Sequence, residues 1–165
     1  MKKMISLLMA AVMMLSLAAC GGSKTEETKS ADLTAFYEET VAGIIEEKGE
    51  DGFPMMMPLE GEMLDGFYPG LSEIATKQCL INAPAMSAVA AEFALVEVEN
   101  AEDVEKVQAI LQSRIDTQVD GGAWYPETIE GWKNNAKIVV KGNYVALFVI
   151  PEGMMDAASE FEKLF

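Results

Sequence analysis

Two β-rich runs, Ala136 to Lys141 and Tyr144 to Ile150, are joined by the dipeptide Gly142-Asn143. Glycine and asparagine accept the backbone angles of a two-residue hairpin turn, so the runs are expected to pair as neighbouring antiparallel strands. Successive side chains of a strand point to opposite sides. On the second run Tyr144, Ala146, Phe148 and Ile150 take one side, and Val145, Leu147 and Val149 take the other. Both sides are apolar. A strand of this kind must be central in its sheet or covered on both faces, which rules out a hairpin with one face in water.

The remaining elements are read around this hairpin. Asp32 is a candidate N-cap for a helix running to about Lys48, with Leu33, Phe36, Tyr37, Val41, Ile44 and Ile45 at helical spacing. Phe53-Pro54-Met55-Met56-Met57-Pro58 is bracketed by prolines and is expected to be extended. Glu60 to Phe67 is expected to form a short helix. Strands are expected over Ile74 to Ile81 and Glu92 to Val98, followed by a long helix from about Glu102 to Val119. Asn100 and Asp103 have capping-box spacing at its start, and Asp120-Gly121-Gly122 ends it. A helical turn around Glu127 to Trp132 precedes the hairpin. Pro151 suits the start of a last helix whose inner side carries Met154, Ala158, Phe161 and Leu164. The expected fold is α+β, in the order α-β-β-α-β-β-α. It has an antiparallel sheet of about four strands and helices packed mainly on one face.

At the N-terminus, Lys2 and Lys3 precede an apolar run from Met4 to Ala19, interrupted only by Ser6 and Ser16. A membrane-spanning helix needs about 20 apolar residues, so the run is short, as in a cleaved signal peptide. Leu17-Ala18-Ala19-Cys20 reads as a bacterial lipobox. Residues 1–19 are then a lipoprotein signal peptide, Cys20 is the lipidation site, 20–31 a flexible tether and 32–165 one α+β domain. Gly, Ser, Thr, Lys and Glu dominate the tether. The expected location is the extracytoplasmic face of the cell membrane, with the lipid on Cys20 as the membrane contact.

Charge and missing residue types narrow the chemistry. Loss of Lys2 and Lys3 with the leader leaves 10 basic against 27 acidic residues, a net charge of −17. Such a surface repels phosphates, so no nucleic-acid partner is expected. Histidine is absent, which removes the usual general base and the commonest transition-metal ligand. With Cys20 lipidated, Cys79 has no disulfide partner, and on its strand it reads as a small buried apolar group. No phosphate-binding glycine loop, nucleophile elbow or metal-ligand spacing occurs. Neither a catalytic residue, a metal nor a cofactor is expected.

The lipobox, the capped first helix, the Met-Met cluster before a short helix, and the hairpin Asn135-Ala136-Lys137-Ile138-Val139-Val140-Lys141-Gly142-Asn143-Tyr144-Val145 occur in one order. That pattern resembles a family of small lipoproteins from Gram-positive anaerobes, the domain of unknown function numbered four-three-five-eight. The resemblance implies an envelope lipoprotein and carries over no catalytic residue.

Three candidate features remain. Met55-Met56-Met57 has soft thioether ligands for Cu(I), but methionines in a proline-rich loop more simply fill irregular core space. The carboxylate clusters Glu46-Glu47, Glu50-Asp51, Glu60-Gly61-Glu62 and Asp116 with Asp120 read as solvated surface. Trp124, Tyr125 and Trp132, behind Gly121-Gly122, are the candidate ligand-binding residues. Their rings can stack on a sugar or a peptide side chain, or close the end of the core. The expected function is a lipid-anchored, non-catalytic binding or interaction module with an envelope protein or glycan partner. The alternatives are a carboxylate-dependent envelope glycan hydrolase and an accessory subunit of a membrane complex.

Overall fold

The computed structural model describes residues 30–165; the segment expected to be a signal peptide, Cys20 and most of the expected tether lie outside the described residues. Five strands, β1 (Met56–Pro58), β2 (Thr76–Pro84), β3 (Glu92–Val98), β4 (Ala136–Lys141) and β5 (Tyr144–Val149), form one antiparallel sheet. Their order is β1-β2-β3-β5-β4. The helices are α1 (Leu33–Lys48), α2 (Glu62–Phe67), α3 (Val104–Thr117), α4 (Pro126–Asn135) and α5 (Ala157–Glu162). The hairpin forms as its sequence requires, with Gly142 at a φ of 55° in the turn. Its second strand, β5, lies between β3 and β4. Every residue of β3 and β5 is buried, as the doubly apolar pattern demands.

Two expectations are corrected. The sheet has a fifth strand because the extended Met-Pro segment pairs with the end of β2, Met56 opposite Pro84 and Pro58 opposite Asn82. Helices also cover both faces of the sheet rather than mainly one. Leu64 and Phe67 of α2, Val107 and Leu111 of α3 and Trp132 of α4 pack with Ala94, Val96, Val145 and Leu147. Leu33, Phe36 and Ile44 of α1 and Ala157, Ala158 and Phe161 of α5 pack with Phe93, Leu95, Ala146 and Phe148. The physical reason is already in β5: apolar side chains on both sides of two central strands need a cover on both sides.

Local signals fare unevenly. Asp32 caps α1, its Oδ1 accepting from the N–H groups of Thr34 and Ala35 at 3.0 Å each. The expected capping box before α3 does not form. Ala101–Asp103 makes a tight 3-10 turn instead, and Asp103 turns to the Lys106 ammonium at 2.7 Å. The last helix starts later than Pro151, because Pro151-Glu152-Gly153 turns the chain first and Asp156 supplies the cap. Of the expected inner side, Ala158 and Phe161 lie on the helix and are buried, while Met154 before it and Leu164 after it pack against the same core.

The chain enters the domain at a fixed point. The Ala31 N–H donates to the Tyr144 hydroxyl at 3.1 Å, and the Ala31 carbonyl accepts from the Gln78 amide at 2.8 Å. Gln78 in turn donates to Glu97 at 2.7 Å. Tyr144 and Glu97 are opposite one another at one end of β5 and β3, whereas Glu92 and Val149 mark the other end.

Candidate functional site

The site begins with the residue that opens β3. Glu92 stands ahead of an apolar strand and shares the sheet face of Ala94, Val96 and Val98, where its side chain is fully buried. An isolated carboxylate there would cost several kcal/mol or more, so it needs partners. Arg114, on the last turn of α3, supplies a two-pronged bond. Its Nε lies 2.9 Å from one Glu92 oxygen and its Nη2 2.7 Å from the other. The Tyr68 hydroxyl, just after α2, donates to the same carboxylate. Arg114 is the only arginine in the chain.

Three rings enclose the guanidinium. Its central carbon lies 4.4 Å from the Phe67 ring centroid, 5.2 Å from Trp132 and 5.8 Å from Tyr68, within cation–π range of each. Burial works against the Arg114 charge, but the Glu92 hydrogen bonds and carboxylate outweigh it and hold the guanidinium pKa above its ordinary value. Burial, and after it the adjacent carboxylate, raises Tyr68 well above the ordinary tyrosine value, so the phenol stays neutral and donates.

Against this pair lies a cavity of about 180 Å³, walled by Phe67, Glu92, Arg114, Gln118, Trp124 and Trp132. Ser87, in the β2–β3 connection, adds a hydroxyl to its rim. The connection is held to α4 by the Thr128 hydroxyl, which donates to the Ala88 carbonyl at 2.8 Å. On the far side of Phe67 and Arg114 lies a second hollow of about 350 Å³, so these two side chains form the wall between them.

A glycine pair sets the position of the first tryptophan. Gly121 has a φ of 120°, and a Cβ at Gly122 would lie 2.6 Å from the Thr117 carbonyl oxygen. Only glycine turns the chain so sharply off the end of α3. Trp124 follows at the mouth of the cavity with 88% of its surface exposed, while Trp132 closes the inner wall and is buried. The two tryptophans therefore meet at one cavity. Tyr125 is half exposed and is not part of its wall.

The other candidates stand elsewhere. Cys79 is exposed rather than buried, because β1 pairs only with residues 82–84 and leaves the first half of β2 as a sheet edge. Partial burial still pushes its thiol pKa up, which disfavours the reactive thiolate. Met56 packs into the core beside α1, but Met55 is exposed. The acidic clusters at residues 46–47, 50–51, 60–62 and 116–120 have exposed carboxylates. Among the described residues no group of three or more histidine, cysteine, aspartate or glutamate side chains is placed to hold a metal ion. No described helix is long and apolar enough to cross a membrane. Glu92 is the one carboxylate bordering the 180 Å³ cavity, and both its oxygens are engaged.

Fold and site together define an antiparallel five-stranded α/β domain with helices on both faces and an aromatic-walled cavity at one end of its sheet. The chain belongs to the family described as domain of unknown function (DUF4358), whose model matches residues 50–150. The matched segment holds all five strands and α2 to α4, whereas α1 and α5 lie outside it. Comparison with curated proteins and with solved structures gave no match.

Sequence reasoning missed Glu92, Arg114 and Tyr68. Two signals pointed to them: a glutamate heading an apolar strand, and a single arginine in a chain otherwise using lysine.

Proposed function

We propose that this protein is a lipid-anchored extracytoplasmic binding module that takes its ligand, without chemistry, at the Trp124–Trp132 cavity. One observation carries the reading. Both tryptophans of the chain border a cavity whose floor is a self-neutralised ion pair with both carboxylate oxygens bonded. Such a floor can orient a guest, but both carboxylate oxygens already accept hydrogen bonds and the guanidinium cannot give up a proton.

The position of the cavity supports an outward-facing role. Ala31, through which a tether from Cys20 would enter, is pinned beside Tyr144 and Glu97 on the α1 side of the sheet. Glu92 is five residues away along β3, or about 17 Å, and on the opposite face. A lipid at Cys20 would leave the cavity on the side of the domain turned away from the attachment point.

Two measurements test this. Replacement of Cys20 by Ala should move the protein from the membrane to the soluble fraction; retention on washed membranes would remove the lipid anchor from the reading. A photo-crosslinking residue at position 124 should capture a partner in intact cells that the same residue at Glu38, an exposed position on α1, does not capture. Identical adducts from both positions, or none from 124, would discard the cavity as the binding site.

A further inference from the structure

We infer that the guest of this cavity is one neutral sugar ring, presented by a glycan chain outside the membrane. The inference rests on the binding role proposed above and adds the chemical class of the ligand.

Size sets the first limit. Pockets for drug-sized ligands run to about 300–1,000 Å³. A space of about 180 Å³ admits a single ring or one side chain.

Chemistry sets the second. A pyranose has an apolar C–H face and a rim of hydroxyls that both donate and accept. The cavity matches each part. Trp124 offers a flat indole at the mouth with no other ring stacked on it. The polar side chains around it are of both kinds: the Ser87 hydroxyl and the Gln118 amide donate and accept, and Arg114 keeps N–H donors beyond the two that bond Glu92.

Charge sets the third. Glu92 cancels Arg114, and no lysine borders the cavity. An anionic guest would find no uncompensated cation and would approach against the field of a strongly acidic protein. A cationic guest would be drawn by the acidic protein and by the free Trp124 face, but inside the cavity it would meet the Arg114 guanidinium. The faces of Phe67 and Trp132, which would otherwise attract an ammonium group, are already occupied by Arg114. A peptide is disfavoured by topology: main-chain pairing needs a free sheet edge, and Glu92 opens a central strand flanked by β2 and β5.

The chain supplies its own probe, because both of its tryptophans border the site. The full lipoprotein, held in a polyoxyethylene detergent with no sugar headgroup, is titrated by calorimetry, which reads the Trp124 variants equally, while tryptophan emission is followed in the parent. The probes are N,N′-diacetylchitobiose, cellobiose, a digalacturonic acid and trialanine. A saturable change with a neutral disaccharide, weakened roughly tenfold or more by Trp124→Ala and less by Trp124→Phe, is expected. The digalacturonic acid should leave the emission unchanged. Equal binding of the acidic disaccharide would overturn the assignment. A response to trialanine that Trp124→Ala abolishes, with the sugars silent, would overturn the sugar but leave the binding module standing. Silence from every probe, with the fold intact by circular dichroism, would count against both.

Discussion

On the α1–α5 side of the sheet, six of the seven phenylalanines of the chain pack as one aromatic layer. Phe36 and Phe161 meet edge to face at 5.2 Å, Phe93 and Phe148 at 5.9 Å, and Phe36 and Phe148 at 6.1 Å. On the α2–α4 side the sheet offers Ala94, Val96, Val145 and Leu147, and the only phenylalanine is Phe67. There the buried start of β3 carries Glu92, bonded to Arg114 of α3. Large rings can tilt to fill space. A planar ion pair with directional bonds cannot, and the cavity lies where it meets the aliphatic core. Rings thus fill one face of the sheet, where a hollow of about 200 Å³ lies out between Thr40 of α1 and Glu160 of α5, while the other face leaves room beside the strands themselves.

The largest expected effect comes from the filled face. Phe148 of β5 packs its ring against those of Phe36, Phe93 and Phe161, so Phe148→Ala should cost about 3–5 kcal/mol in urea denaturation. Because its side chain points away from the cavity, any ligand response of the remaining folded protein should keep its midpoint. A shifted midpoint would mean that the two faces are mechanically coupled.

Next is the ion pair. Arg114→Met leaves Glu92 buried beside Tyr68 alone and should cost about 3–5 kcal/mol, most of it the uncompensated carboxylate. The double variant Glu92→Leu/Arg114→Met makes this face resemble the other. It should regain most of that loss, or exceed the parent, since well-packed apolar replacements of buried pairs are often neutral or stabilising. If the double variant is as unstable as the single one, the pair is a structural keystone and the contrast between the faces is smaller than drawn.

The filled face was more legible in the sequence than the open one. Leu33, Phe36 and Ile44 repeat at helical spacing, and Tyr144, Ala146 and Phe148 repeat at strand spacing. Period alone therefore places them in a core. The doubly apolar β5 even carried the argument for covers on both sides. The element order, read as α+β, nevertheless led to helices mainly on one face. The open face depends on pairing across distance. Glu92 and Arg114 are separated by 22 residues, Tyr68 and Glu92 by 24, and no local period records such a bond. Trp124 and Trp132 were visible because they follow a double glycine. Tyr125 was indistinguishable from them by type, and only the turn geometry places it outside the cavity wall.

A smaller effect tests the third member of the polar cluster. Tyr68→Phe removes one hydrogen bond to a charged group and should cost about 1.5–3 kcal/mol at neutral pH. The pH dependence has a defined sign. Folding raises the Tyr68 pKa well above its ordinary 10.0, first through burial and then through Glu92. Below the ordinary value both folded and unfolded tyrosine are neutral, and the contribution is complete. Above it the unfolded tyrosine ionises while the folded one stays protonated, so stability is lost as pH rises through that window. Urea midpoints at about pH 9 and pH 11 should fall further for the parent than for Tyr68→Phe. An equal fall in both would assign the alkaline loss to other groups.

The smallest stability change belongs to the residue with the largest expected effect on binding. Trp124 is 88% exposed, so Trp124→Ala should alter the unfolding midpoint by no more than about 0.5 kcal/mol. Its neighbour gives the contrast. Trp132 is buried against Arg114, and Trp132→Ala should cost about 3–5 kcal/mol whether or not anything binds. A large exposed indole that the fold does not need, held at the mouth of a cavity by a glycine turn, is what a contact residue looks like before its partner arrives. If Trp124→Ala destabilises the protein as much as Trp132→Ala, Trp124 belongs to the core, and the open face closes on itself.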